Sequence, residues 1–440
     1  MKQRNYILLL IIVLAAVLLF PGQAFAAGLG EKIYSFKGEP VFNPAVGKDG
    51  NISIGFYQPL FNDENPFQPF TFATISPEGE QLKNWQERGL PIHTFDAENK
   101  DLLYVTDHKN KLKAFDQNHE KKWEKTLEPD SWISFLDSRG HAYIDLEDKK
   151  GNQSLIKYAP TGKTVQYPAA SWTEFNFSED GTFAYQLAPG KDPLQAVLRG
   201  LKENGKIAWQ TAPFKKTKTY QKKTYQLEDF TIEAVDAKGN VYLTASYGEK
   251  RYTDLYAFNS NGKRLWKKDL GKGNAFQIKV VDKTLIYENG DTRISFVNVT
   301  DGKTIRTAKL TYREPEAISL IAGPETFFAV DAAGIHTYSS QGKKLGTYPF
   351  PNGDRLEYYS LDETGRLYAV ISGLKKGKPY QGVAAISDQG KLLSEVIYQG
   401  KASISGIAAH PHSGEWYMFQ TLYGKTRAEQ TEVWKYNSSK

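Results

Sequence analysis

The sequence predicts an all-β fold, a single β-propeller of four-stranded antiparallel blades. Three observations predict it. Short alternating strands of 4–7 residues recur between Gly, Asn and Asp turns. No stretch of useful length shows the 3.6-residue helical period. A turn recurs at Gly79, His119, Gly162, Gly205, Gly262, Gly302, Gly342 and Gly390, at spacings of 40, 43, 43, 57, 40, 40 and 48 residues. That is the length of one blade.

The chain of 440 residues begins with an address. Lys2 and Arg4 precede an apolar run from Tyr6 to Phe20, too short for a comfortable membrane span. Pro21-Gly22 breaks it, and Ala24-Phe25-Ala26 offers the small-x-small pattern of a cleavage site. Residues 1–26 are expected to be a signal peptide and 27–440 a propeller domain, with an uncleaved anchor as the alternative. Removal takes two cations from a formal charge of +6 and leaves about +4. The expected location is secreted or cell-wall associated, as a monomer, with no stable membrane span after cleavage and no nucleic-acid partner.

Two units show the repeat most clearly. Asp236-Ala-Lys-Gly239-Asn-Val-Tyr242 leads to Leu255-Tyr-Ala257-Phe-Asn-Ser-Asn-Gly262-Lys-Arg-Leu-Trp266. Asn99-Lys-Asp101-Leu-Leu-Tyr104 leads to Leu112-Lys-Ala114-Phe-Asp-Gln-Asn-His119 and then Trp123. Gly suits the recurring turn because hairpin turns need positive φ. Trp85, Trp123, Trp209 and Trp266 fall at one repeat position and read as core. The grammar resembles the pyrroloquinoline-quinone-like (PQQ-like) repeat of β-propellers, over nearly all of residues 31–440. Members of that family fold each repeat as strands A to D, innermost to outermost.

Eight complete units run from near Val41 to near Gln399. A ninth has strands A (Ile404–His410), B (Glu415–Gln420) and C (Glu432–Tyr436), and then the chain stops. Lys32–Phe36 is one strand too many at the other end. It is expected to supply the missing strand D, closing the ring and covering two sheet edges. The count is nine blades, with eight or seven, the commoner numbers, as alternatives.

Chemistry is sparse. The chain has no cysteine, which excludes disulfides, thiolate metal sites, a cysteine nucleophile and lipidation on cysteine. The quinone enzymes that share the repeat are larger, and many use a cysteine pair and a Glu/Asn/Asp calcium site. Neither is matched here, so no cofactor is expected. His410-Pro-His412 is the one close histidine pair, and it reads as a turn because no third ligand accompanies it. Asp145–Asn152 lacks the spacing of a calcium loop. Asp137, Asp180, Asp236 and Asp362 read as turn chemistry. No catalytic or metal-binding residue is assigned.

Loop length is more informative. Propeller topology puts the A–B and C–D turns on one face and the B–C and D–A connections on the other. The long connections fall on the second face: B–C at 58–69, 247–253, 373–381 and 421–431, and D–A at 213–226. The first carries Phe61, Asp63, Glu64 and Phe67; the rest are basic and aromatic. Candidate binding residues are Lys215, Lys216, Lys218, Tyr220, Lys222 and Lys223, then Tyr247, Arg251 and Tyr252, then Lys375, Lys376, Lys378 and Tyr380, then Tyr423 and Arg427. Such a rim suits a protein or an anionic wall polymer. The plainer alternative is that the lysines only solubilise loops. The expected function is a non-enzymatic scaffold. The rival is an enzyme with a site at the channel mouth built from several blades.

Overall fold

The computed structural model describes residues 30–40, 44–57, 69–94, 102–107, 109–116, 120–128, 131–148, 150–192, 195–249, 252–272, 275–289, 292–311, 319–351, 353–375, 377–398, 402–423 and 428–438. The apolar segment 1–26, the 58–68 connection, Arg251, Lys376 and Arg427 lie outside them. Every regular element within them is a strand, and no helix there is long and apolar enough to cross a membrane.

The strands form nine antiparallel sheets, eight of four strands and one of five. Blade one runs from Ala45–Val46 to Gln81–Arg88, blade two from Leu90–Thr94 to Lys121–Thr126, and blade three from Trp132–Leu136 to Thr164–Gln166. Blades four to eight follow in chain order, and the eighth ends at Leu392–Tyr398. In blade nine, Ala402–Ala409, Glu415–Tyr423 and Ala428–Asn437 are strands A to C. Strand D is Glu31–Phe36, in register from Glu31↔Lys435 to Phe36↔Thr431. The expected clasp and the count of nine are both present.

Closure is visible in the core. Nine clusters of buried side chains each bridge two neighbouring blades. The last joins blade nine to blade one through Phe36, Val46, Ile54, Phe56, Tyr417, Phe419 and Val433. Phe36 stacks on Phe56 at 4.3 Å between ring centroids. Strand B and C positions are buried on both faces, as in Val241–Tyr247 and Tyr252–Phe258. This explains why those strands read as near-continuous apolar and aromatic runs.

Two devices use the repeat grammar: the first locks adjacent blades, and the second ties each A–B turn to strand B of its own blade. The strand-D tryptophans reach the next blade's C–D turn. Trp123 Nε1 donates to Pro160 O, Trp209 Nε1 to Ser260 O and Trp266 Nε1 to Val299 O, at 2.7–2.8 Å. Each ring lies over the glycine of that turn. Gly262 has φ +78°, and a Cβ there would sit 2.5 Å from Trp209 Cε3. The turn glycine is therefore required twice, for its φ and for the ring above it.

The second device is the A–B turn. Asp137, Asp236 and Asp362 each accept two backbone N–H groups from their own turn. The same carboxylates take the hydroxyls of Tyr143, Tyr242 and Tyr368 at 3.0–3.2 Å. Asp180 likewise accepts the Thr182 N–H and the Ser178 hydroxyl. These carboxylates are turn chemistry, as their position before turn glycines predicts. Blade nine departs from the pattern. His410 Nδ1 takes the place of the carboxylate and accepts the N–H groups of His412 and Ser413, both at 3.1 Å. The imidazole has no second acceptor to offer there, and the buried Tyr417 hydroxyl has no hydrogen-bond partner.

Candidate functional site

Antiparallel order places the B–C and D–A connections at one end of every blade, the loop face. What the sequence presents as long loops there is largely strand. Thr217–Tyr220 pairs with the start of Lys223–Val235, so the 213–226 connection is a β-ribbon. Its turn residues Gln221 and Lys222 have φ +47° and +65°, the primed geometry that matches strand twist. The 373–381 connection is a hairpin paired to its tip, Leu374↔Pro379 and Lys375↔Lys378. The alternating Thr, Tyr and Lys of these segments favour pairing over a loop.

The ribbon does not present the basic rim that its composition suggests. It folds over the end of blade five. Lys218 is 10% exposed and donates to Asp254 Oδ1 at 2.8 Å and Asp269 Oδ1 at 2.9 Å. Asp254 is 1% exposed and takes Lys267 on its other oxygen. Burial would lower the Lys218 ammonium, but the two carboxylates outweigh it and raise it. Lys216 pairs with Asp192. Tyr247 and Tyr252 are buried, and Tyr220 and Tyr225 pack on Tyr252 with centroids 4.4 and 4.5 Å away. Of this group only Lys215, Lys222 and Lys223 stand exposed. The sequence signal for the latch is Asp254 itself, a carboxylate in a strand otherwise buried on both faces, where a charge requires a partner.

Blades eight and nine differ. Eight large apolar side chains are exposed among the described residues. Leu82, Ile207, Leu265 and Ile305 are scattered singly on the outermost strands of four blades, and such isolated cases are ordinary. The other four, Tyr359, Leu374, Ile397 and Tyr423, all lie on blades eight and nine. Leu374 is the most exposed at 52%. It lines a cleft of about 550 Å³ between the two blades, with Arg355, Glu357, Pro379, Tyr380 and Tyr398. Arg355 Nε donates to Glu357 Oε1 at 2.8 Å. Burial, and then a hydrogen bond to the buried Asp354, push the Tyr380 hydroxyl up. Lys375 and Lys378 are exposed at the hairpin tip. Tyr423 is 46% exposed, with its hydroxyl 3.4 Å from Glu39 Oε2. The structure thus divides the sequence-derived set. It places Tyr380 in the cleft, Lys375 and Lys378 at the tip of the hairpin that walls it, and Tyr423 on blade nine. It pairs Lys216 with an aspartate and packs Lys218, Tyr220, Tyr247 and Tyr252 into the end of blade five.

Carboxylates also meet on the inner strands. Glu174 of blade four and Glu233 of blade five are both raised, Glu174 to about 7, by burial first. Repulsion from Asp229 adds to both. Glu174 Oε1 accepts the Ile232 N–H at 2.9 Å, and Glu233 Oε1 accepts the Thr244 hydroxyl at 2.6 Å. Glu174 therefore ties the inner strands of two blades together, and Glu233 ties strand A to strand B of blade five. His410 and His412 do not converge. Their rings are 6.4 Å apart, and His412 Nε2 instead faces Glu363 at 3.4 Å. Among the described residues no three His, Asp or Glu side chains are grouped to hold a metal.

A family model described as outer membrane protein assembly factor BamB matches residues 195–438. The crystal structure of BamB from Moraxella catarrhalis is 13% identical and covers 93% of this chain and all of its own, with a TM-score of 0.39. A crystal structure of the eukaryotic initiation factor is 9% identical over 80% of this chain and 88% of its own, with a TM-score of 0.56. That likeness supports the propeller fold alone. No curated protein sequence matches the chain.

Proposed function

The chain belongs to the outer membrane protein assembly factor BamB family, and from that membership we propose that it is a non-enzymatic scaffold outside the cytoplasm that holds a protein partner on its loop face. The observation that carries this is the cleft between blades eight and nine, whose lining holds Leu374, the most exposed large apolar side chain among the described residues, beside Pro379, Tyr380 and Tyr398. Exposed apolar surface gathered beside a groove, with a polar rim, is what a protein interface needs. A wall polymer is the less favoured ligand. Its attraction would rest on the ribbon lysines, and Lys216 and Lys218 are already neutralised by aspartates.

Site-specific photo-cross-linking in the native cell tests this. A benzoyl-phenylalanine at position 374 or 423 is expected to yield a discrete protein adduct, identifiable by mass spectrometry. The same group at position 207 or 265, on outer strands, is expected to yield none. Equal labelling from all four positions, or none from any, defeats the proposal. The enzyme reading has Glu174 and Glu233 in its favour. It predicts that Glu174→Gln with Glu233→Gln abolishes function while cross-linking at 374 persists.

A further inference from the structure

The tip of the blade-eight hairpin carries an unbalanced charge. Lys375 and Lys378 are directly opposed in register, and like charges placed so repel. Neither has an ion pair among the described residues. Some lysines on other strands are matched, as Lys32 is with Glu432, Lys111 with Glu124, Lys122 with Asp116 and Lys435 with Glu415. In the sequence Lys376 follows Lys375. One position further in, Leu374 and Pro379 are also opposed, and both line the cleft with Tyr380 and Tyr398. At the inner end of the cleft Arg355 is paired with Glu357 at 2.8 Å, so the two charges cancel there. The surface is therefore an apolar slot with unpaired positive charge at its hairpin end.

We propose that this cleft binds an acidic, extended segment of a partner protein. One apolar side chain would seat against Leu374 and Tyr398, and flanking carboxylates would meet Lys375 and Lys378. The inference rests on the scaffold reading and names the chemistry of its partner. Carboxylates relieve the repulsion at the tip and raise the association rate through the local field. The apolar walls select a peptide over a bare polyanion, because a chain of phosphates leaves Leu374 and Pro379 without contact.

The test uses the intact protein and three probes: acetyl-Asp-Glu-Leu-Asp-Glu-amide, the same peptide with Ser for Leu, and poly(glycerol phosphate). Binding is read by fluorescence anisotropy at about 50 and 300 mM salt. The Leu peptide is expected to bind saturably and to weaken at high salt. It should weaken about tenfold or more in Lys375→Glu/Lys378→Glu and several-fold in Leu374→Ser. The Ser peptide should bind more weakly than the Leu peptide. Circular dichroism confirms that the exposed-site variants remain folded. Poly(glycerol phosphate) binding as well as the Leu peptide, with Leu374→Ser unaffected, would mean a polymer site and overturn the proposal. So would no peptide binding, or binding indifferent to all three substitutions. If peptides fail while cross-links at 374 persist, the scaffold reading survives and this inference does not.

Discussion

The Trp–Gly contact between blades gives a prediction whose size can be worked out. Gly262 and Gly271 both belong to blade five and have nearly the same backbone, φ +78° and +77°. A Cβ on Gly271 would meet nothing within 4 Å, whereas one on Gly262 would meet Trp209 at 2.5 Å. Alanine at either site carries the left-handed penalty, about 1–2 kcal/mol. At Gly262 it must also displace the indole, breaking the 2.7 Å bond from Trp209 Nε1 to Ser260 O. A lost hydrogen bond that strands a partly buried donor adds about 1–3 kcal/mol. Gly271→Ala should therefore cost about 1–2 kcal/mol and Gly262→Ala about 2–5. Urea unfolding followed by far-ultraviolet circular dichroism measures both. In a Trp209→Leu background, which removes the obstructing ring, the extra cost of Gly262→Ala should vanish. Equal costs for the two glycines to within about 0.5 kcal/mol, or no relief in the Leu background, would refute the interlock.

Three further outcomes are expected. Phe36→Ala, which removes the ring stacked on Phe56 across the closing interface, should cost about 3–5 kcal/mol of stability; a loss under about 1 kcal/mol in the same urea assay would mean the clasp does not carry closure. His410→Asp restores the acceptor pair used in other blades and gives the Tyr417 hydroxyl a partner. It should stabilise by about 1 kcal/mol, seen as a raised melting temperature, and a lowered one would contradict the assignment. Glu174 is held protonated by burial up to about pH 7. Its folded value lies above its unfolded one, so its contribution is present at low pH and is lost as pH rises from about 4.5 through about 7. The unfolding midpoint should fall across that window, and Glu174→Gln should flatten the fall. An unchanged slope in the variant would show that another group carries it.

The ring itself was legible because each of its rules is local. A glycine at a positive-φ turn, an aspartate three residues before a turn glycine and a tryptophan beyond the next turn each announce themselves within about forty residues. The surplus strand at one end and the missing strand at the other require only counting. The loop face was harder to read, because the sequence says how long a connection is but not how it folds back. The ribbon at 217–226 looks like a lysine-rich loop until Asp254 and Asp269, 36 and 51 residues later, are seen paired with Lys218. The cleft between blades eight and nine has the same character. Its walls come from Leu374, Tyr398 and Ser403, which share no motif and meet only because two neighbouring blades bring them together.

The clasp also bears on when the ring can form. Lys32 and Glu432 are paired across 400 residues of chain, so the closing sheet cannot assemble until the last strand has been made. Thermodynamically this is a small matter. Chain closure grows only logarithmically with length, and spanning 400 residues costs about 2 kcal/mol more than spanning the forty of one blade. In time the consequence is larger. Blades one to eight can form in order as the chain emerges, each hairpin being local. During that interval the edge of blade one and the strand Glu31–Phe36 both wait, uncovered, for blade nine. The interval of greatest exposure to misassembly is thus the one before strand C of blade nine is made, and it ends in one step when Ala428–Asn437 arrives.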